Sequence, residues 1–178
     1  MEIPTTIEIN RTPSVETTRI GNIVKACDLF TTSNLVVPEH IVYLSPFQKQ
    51  SVKIVWNEFR SREKAMMRFF ERFFLRHPEE KDCFEIEHGF NEKEVKRVEC
   101  SLDDILRDLE DRNSIDSMLE VLARHHKTRG INRDSFERFS LVFLEFIMEE
   151  LEGEITEFDL EAWAVALRIL VNVIGLYL

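Results

Sequence analysis

The chain has 178 residues, enough for one domain that buries a core without help from disulfides or metal ions. Hydrophobic residues make up 44% of it, with only five glycines and five prolines, which favours long helices over a turn-rich β fold. The formal net charge of −10 argues against a nucleic-acid or anionic-membrane binder, and no apolar stretch reaches membrane-spanning length.

The first 43 residues contain scattered Thr, Ser, Asn and Pro without a sustained helical apolar period. We therefore predict an N-terminal extension over residues 1–43, partly disordered, and a single folded domain over residues 44–178. The opening residues lack the pattern of a secretory signal, and the three cysteines Cys27, Cys83 and Cys100 have no CxxC spacing. Reduced thiols in a cytoplasmic protein are the expectation.

The first two helices are predicted from a start signal and from apolar spacing. Ser45 is a good N-cap, and Pro46 suits the first helical position. Residues three or four apart then form one apolar stripe in each helix: Val52, Val55, Trp56 and Phe59 in the first, and Met66, Phe69, Phe70, Phe73 and Phe74 in the second. The second helix is expected to end before Pro78, since the residue before a proline is disfavoured in the α region.

A third amphipathic helix is predicted from the apolar residues Val95, Val98, Leu102, Ile105, Leu106 and Leu109. The polar segment 108–113 ends it. The carboxylate pairs Asp103–Asp104 and Glu149–Glu150 occupy adjacent helical positions, so their side chains diverge, and we expect them to face solvent.

A histidine shares the apolar face of the fourth predicted helix. Ile115, Met118, Leu119, Leu122 and His126 follow at spacings of three, one, three and four residues, so His126 points towards the core. Its neighbour His125 lies about 100° round the helix and should face water or the next element. Gly130 then closes the helix.

Two further helices complete an all-α fold. The fifth directs Phe136, Phe139, Phe143, Phe146 and Ile147 inwards, and the sixth begins after Thr156, a suitable N-cap. There is no glycine-rich phosphate loop, no HExxH and no nucleophile elbow, so we do not expect an enzyme, although side-reactions of a bound cofactor stay open.

The buried imidazole of His126 has two physical explanations. Either each ring nitrogen has a hydrogen-bond partner in the core, or one nitrogen binds a metal while the other donates to an acceptor such as a backbone carbonyl. The helical pattern alone leaves both open.

The sequence around His126 resembles the proximal-histidine segment of animal globins. The stretch 122–131, LARHHKTRGI, is followed by Phe136, and the likeness is to neuroglobin-type and divergent nematode globins. Other segments resemble globin elements in the same order: Leu44–Ser45–Pro46 to Trp56, Phe69 to Phe74 with Phe84, and Leu151 to Trp163. The resemblance covers about residues 44–178.

This resemblance implies a globin fold, in which six to eight helices form a three-over-three sandwich around haem b. It makes His126 the proximal iron ligand. The residues that match haem contacts are Phe70, Phe84, Val98, Leu122, Ile131 and Phe136. Arg97 and Arg129 could reach the haem propionates, although an ordinary solvated arginine is the favoured interpretation of each.

The distal side departs from the globin pattern. With Val98 above the ligand site, Glu94 occupies the position of the usual distal histidine, so the usual hydrogen-bond donor to oxygen is missing. His88 is the other histidine that can approach this side. It is either a second axial ligand, giving a bis-histidyl six-coordinate iron, or a surface residue.

The resemblance implies a haem globin with a redox, electron-transfer or gas-sensing role. Its expected partners are haem, the gases O2, CO or NO, and an unidentified electron-transfer or signalling partner. Two alternatives stay open: a haem-free, globin-like interaction module, and a five-coordinate oxygen-binding globin.

Overall fold

The computed structural model describes residues 28, 44–84 and 92–178. These contain six long α-helices and no β-strand. The helices are α1 (Pro46–Ser61), α2 (Ala65–Arg76), α3 (Glu92–Arg107), α4 (Arg112–Lys127), α5 (Arg133–Glu150) and α6 (Glu157–Gly175). Two 3-10 helices, Pro78–Phe84 and Asp108–Glu110, follow α2 and α3. No helix in these ranges has the length and hydropathy needed to cross a membrane.

The predicted extension lies outside the described residues apart from Asp28, which is helical and exposed. The domain boundary near residue 44 therefore stays a prediction.

Side-chain caps fix the helix starts that the sequence predicted. The Ser45 side chain accepts a hydrogen bond from the backbone of Gln48, whose side chain accepts one from the backbone of Ser45, so α1 begins with a capping box. Thr156 and Asp159 form the same motif at the start of α6. Such caps satisfy N–H groups that have no partner within the helix.

The core is an aromatic cluster between α1, α2, α5 and α6. Phe59, Phe69 and Phe143 are fully buried. The Phe69 and Phe143 rings meet edge to face with centroids 5.0 Å apart, and Trp163 of α6 contacts Phe143 from another side at 5.6 Å. Edge-to-face packing is favoured by the ring quadrupoles. The inward faces predicted for α1, α2 and α5 are confirmed.

Arginine–carboxylate pairs border the contact between α2 and α5. Three arginines on α2 bind three glutamates on α5 in antiparallel order: Arg68 with Glu150, Arg72 with Glu149, and Arg76 with Glu145. The expectation that Glu149 and Glu150 simply face solvent was therefore wrong. Both are half-buried because the paired arginines cover them.

Asp103 also differs from its predicted role. Its carboxylate accepts a hydrogen bond from Trp56 Nε1 at 2.7 Å and another from Arg60, so it ties α3 to α1. The side chains of Asp103 and Asp104 do diverge, as predicted, but that of Asp103 turns towards α1. Asp104 instead pairs with Arg107 on its own helix.

Candidate functional site

His126 lies in the last turn of α4, where the helix ends and the chain turns towards α5. The helix stops at Lys127, and the turn passes through Gly130 at φ +76°, a left-handed conformation that glycine adopts without strain. The backbone N–H of Ile131 donates back to the carbonyl oxygen of His126 at 3.1 Å. This turn places Ile131 and the start of α5 beside the imidazole.

The His126 ring is held in one tautomer by its own helix. Nδ1 lies 2.8 Å from the carbonyl oxygen of Leu122, which only accepts, so Nδ1 donates and the neutral ring carries its lone pair on Nε2. Burial lowers the pKa of His126 against the opposing effect of this hydrogen bond, and the positive charge of Arg129 lowers it further. The neutral form, the one that binds metals, is therefore favoured at pH 7.

The ring lines a cavity of about 420 Å³ between α2, the first 3-10 helix, α3, α4, α5 and α6. Every predicted haem contact and the predicted iron ligand line this one cavity: Phe70, Phe84, Glu94, Val98, Leu122, His126, Ile131 and Phe136. They come from four helices, a 3-10 helix and a turn, so the fold brings together residues that the sequence related only by resemblance. His88 lies outside the described residues.

Several residues that line the cavity were predicted to face the core but were not identified as part of the site. They are apolar residues one helical turn from a predicted contact: Phe73, Leu102, Met118 and Phe139. Each lies three or four positions from Phe70, Val98, Leu122 or Phe136, respectively, the spacing that puts helical neighbours on one face. A search of the apolar residues one helical turn from each predicted haem contact would have identified them.

A buried ion pair fixes the segment that carries Phe84. Glu80, in the 3-10 helix four residues before Phe84, is only 4% exposed. Its Oε1 accepts two hydrogen bonds from Arg138 of α5, from Nε at 2.8 Å and from Nη2 at 2.5 Å. The Phe84 ring then packs edge to face on Phe74 of α2, with centroids 5.1 Å apart. Neither Glu80 nor Arg138 was singled out from the sequence.

The polar part of the cavity wall on α3 includes a second ion pair. Arg97 Nη1 donates to both carboxylate oxygens of Glu94, at 2.7 and 3.0 Å. Both side chains line the cavity, with Glu94 the more sheltered of the two. A carboxylate at this position is costly unless it is paired, and Arg97 supplies the partner.

The cavity could hold a largely apolar group with the His126 imidazole as a nitrogen ligand. Its walls are mainly Phe, Leu, Val and Ile, and its volume lies in the range of cofactor sites. Within residues 44–84 and 92–178 no group of three or more His, Cys, Asp or Glu is placed to hold a metal ion. His126 could therefore serve as a single protein ligand to a metal whose remaining ligands come from a cofactor.

The family comparison agrees with this geometry. The model of the Globin family matches residues 67–174, which is more than half of the chain. The protein therefore belongs to the globin family, and its all-α globin fold, predicted from the sequence, is confirmed. Members of this family typically bind haem. The match runs from α2 to the end of α6 and so contains every described residue of the cavity.

Proposed function

We propose that this globin binds haem b with His126 as the proximal iron ligand. The supporting observation is the His126 ring itself, which lines an apolar cavity while Leu122 fixes its Nδ1 hydrogen. Bound there, haem supplies reversible redox chemistry and a coordination site for small molecules. Phe84 and Phe70 would contact the porphyrin, and Ile131 and Phe136 would pack beside the proximal imidazole.

The proposed role is redox sensing, electron transfer or gas sensing rather than oxygen storage. Stable oxygen binding is helped by a hydrogen-bond donor near the bound ligand, and an ionised carboxylate only accepts. Glu94 occupies the corresponding position, and the nearest guanidinium nitrogen of Arg97 already donates to it. An electron-transfer or signalling protein is then the expected partner. With His88 as second axial ligand, the iron would be six-coordinate before any gas binds.

The proposal also covers the domain boundary, the cellular compartment and the kind of activity. We assign residues 44–178 to the globin domain and residues 1–43 to an extension. Cys83 and Cys100 are free thiols, which suits a reducing compartment such as the cytoplasm. We also propose a binding or electron-transfer protein rather than an enzyme.

The visible absorption spectrum of the purified, haem-supplied protein tests this function. Ferric and ferrous forms are recorded without added ligand, and CO is then added to the ferrous form. Haem bands at one haem per chain, with a shift on CO addition, would support the assignment. Without haem bands the function is wrong, and a haem-free globin-like interaction module takes its place.

The same spectrum decides the coordination number. A sharp, split visible region in the ferrous form means a low-spin, six-coordinate iron with a second protein ligand. His88→Ala should then convert it to a broad, unsplit band. A broad band in the unmodified protein means an open site, which excludes the bis-histidyl form and favours a five-coordinate, ligand-binding globin.

A further inference from the structure

A second, smaller cavity lies between the start of α1 and the helices α3, α4 and α6. Its volume is about 240 Å³, and apart from Lys49 and Asp116 all of its lining residues are apolar or aromatic. It shares Leu102, Ile105 and Leu170 with the larger cavity, so the two spaces adjoin. The proposed haem function makes no use of this second space.

The size of the second cavity suits a small organic molecule. An apolar cavity of about 150 Å³ holds one benzene molecule, so this one has room for roughly ten non-hydrogen atoms. Leu109, Ile115 and Ile169 line it and are only half-buried, so part of its wall reaches the protein surface. A ligand can enter there through side-chain movements, without the opening of a helix.

Trp163 brings a hydrogen-bond donor without an acceptor to this site. Its indole ring lines the cavity and is only 2% exposed. The Nε1 atom is buried and has no hydrogen-bond acceptor among the residues that the structure describes. Trp56, the other tryptophan of the chain, instead donates its Nε1 hydrogen to Asp103 at 2.7 Å. A buried N–H without an acceptor costs free energy, so an acceptor carried by a ligand would remove that cost.

We propose that the second cavity binds an apolar small molecule with one oxygen acceptor, such as a ketone, and that this oxygen accepts the Trp163 Nε1 hydrogen. A hydrocarbon fills the same space but leaves Nε1 unpaired. Water is a poor occupant, since a buried water makes about three hydrogen bonds and the two charged wall residues already have interactions of their own. The binding does not depend on haem.

The test titrates the full-length, haem-free protein with 1-indanone and with indane, which has the same bicyclic carbon skeleton without the oxygen. Isoleucine methyl signals in NMR spectra distinguish the two cavities. Ile115 and Ile169 line the second cavity but not the larger one, and Ile131 lines the larger one but not the second. We expect 1-indanone to shift the Ile115 and Ile169 signals with a dissociation constant below about 1 mM.

The two indole N–H signals provide a second readout in the same titration. The Trp163 Nε1–H signal should shift more with 1-indanone than with indane, because only the ketone supplies an acceptor. The Trp56 signal is the internal reference and should move much less, since its N–H already donates to Asp103.

Two variants separate the hydrogen bond from the space. Trp163→Phe removes the donor and keeps an aromatic ring, so it should weaken 1-indanone binding at least about fivefold more than indane binding. Ala166→Leu fills part of the cavity and should weaken both probes by roughly tenfold or more. Val165→Leu is the matched control, because the adjacent residue of the same helix lines neither cavity. Both dissociation constants should there stay within about twofold of the unmodified protein.

A selective loss of 1-indanone binding in Trp163→Phe, with both probes weakened in Ala166→Leu, supports the proposal. It is overturned if Trp163→Phe changes the two dissociation constants equally, or if neither probe shifts Ile115 and Ile169 in the unmodified protein. Urea unfolding shows whether each variant folds. If Trp163→Phe does not, the Trp163 Nε1–H signal of the unmodified protein decides: equal shifts with the two probes overturn the proposal.

A titration of the haem-supplied, ferrous CO-bound protein keeps this proposal separate from the haem function. With haem in the larger cavity, 1-indanone should still shift Ile115 and Ile169 but no longer Ile131. Loss of the Ile115 and Ile169 shifts on haem binding would place the probe in the larger cavity and overturn the proposal. A protein that shows no haem bands, yet shows these shifts and the Trp163→Phe effect, would refute the haem function alone.

Discussion

The contact between α2 and α5 and the wall formed by α3 and α4 bury their apolar residues to different degrees. In the first region Phe69 and Phe143 have no exposed surface, and three Arg–Glu pairs border the contact. In the second region Val98 and Leu122, although apolar and inward-facing, are only half-buried. α2 and α3 are both strongly amphipathic, so the difference lies in what each helix packs against.

Phe69 and Phe143 pack on one another at the α2–α5 contact, whereas Val98 of α3 and Leu122 of α4 border the cavity. A well-packed core contributes stability in proportion to the apolar surface removed from water. Half-buried apolar residues around a cavity keep part of their apolar surface exposed. That surface adds to the stability only when a ligand fills the cavity. We therefore expect truncations at the α2–α5 contact to lower the free energy of unfolding more than truncations at the cavity wall, which should mainly weaken binding.

Removing the imidazole of His126 should have the largest effect on binding. We expect His126→Ala to weaken haem binding by at least about ten-thousandfold, roughly 5.5 kcal/mol, because the proposed bond to iron is lost. Haem transfer to a haem-free acceptor protein, followed by visible absorption, measures this.

His125→Ala is the control for that experiment, since His125 is the adjacent imidazole of the same helix and is exposed, although it borders the same cavity. It should retain haem to within about tenfold of the unmodified protein. Equal loss of haem in both variants, or retention in both, would contradict the assignment of His126 as the ligand.

Truncation of one apolar residue in each region tests the comparison directly. Phe69→Ala should destabilise the haem-free protein by about 3–5 kcal/mol, the usual cost of a large cavity in a packed core. Leu122→Ala should cost only about 1 kcal/mol in the haem-free protein, since Leu122 already borders a space. Urea unfolding of the haem-free chains gives both values.

With haem bound, Leu122→Ala should lower the free energy of unfolding more than it does without haem, because the contact between Leu122 and the haem is then lost as well. Phe69→Ala should cost about the same in both states. If the two variants lose equal stability in the haem-free protein, the division of the molecule into a packed region and a binding region is wrong.

The fold was predictable because its signals are local. Ser45, Thr156 and Gly130 mark helix ends through caps and a left-handed turn, and the apolar spacing marks the buried faces. The direction of His126 followed from the same spacing. These features depend on neighbours three or four residues apart, which a single sequence displays.

The pairs that join distant elements were not predictable in this way. Glu80 and Arg138 are 58 residues apart in the chain, and Trp56 and Asp103 are 47 apart. A charged residue that will be buried looks the same in sequence as one that faces water. Only packing decides which carboxylate meets an arginine, so Asp103 and Glu149 were misjudged as solvent-facing while their helices were placed correctly.

The smallest expected effect concerns the link between α1 and the start of α6. Burial raises the pKa of Asp159, but hydrogen bonds from the Ser51 hydroxyl and from the backbone and side chain of Thr156 outweigh it and lower the pKa below its ordinary value. A carboxyl group with a lowered folded-state pKa contributes stability above its unfolded-state pKa, near 4, and loses it as pH falls through the folded-state value.

Ser51→Ala should therefore destabilise the protein by about 1 kcal/mol at neutral pH, the net value of one such hydrogen bond. The difference from the unmodified protein should shrink below about pH 4, because a protonated Asp159 is a much weaker acceptor. Ser61→Ala is the matched control: Ser61 donates to the backbone carbonyl of Glu58, which does not titrate, so its effect should not change with pH. Urea unfolding of the haem-free proteins between neutral and acidic pH measures both. A Ser51→Ala deficit that stays constant down to the acid limit would mean that Asp159 is not the partner through which α1 holds α6.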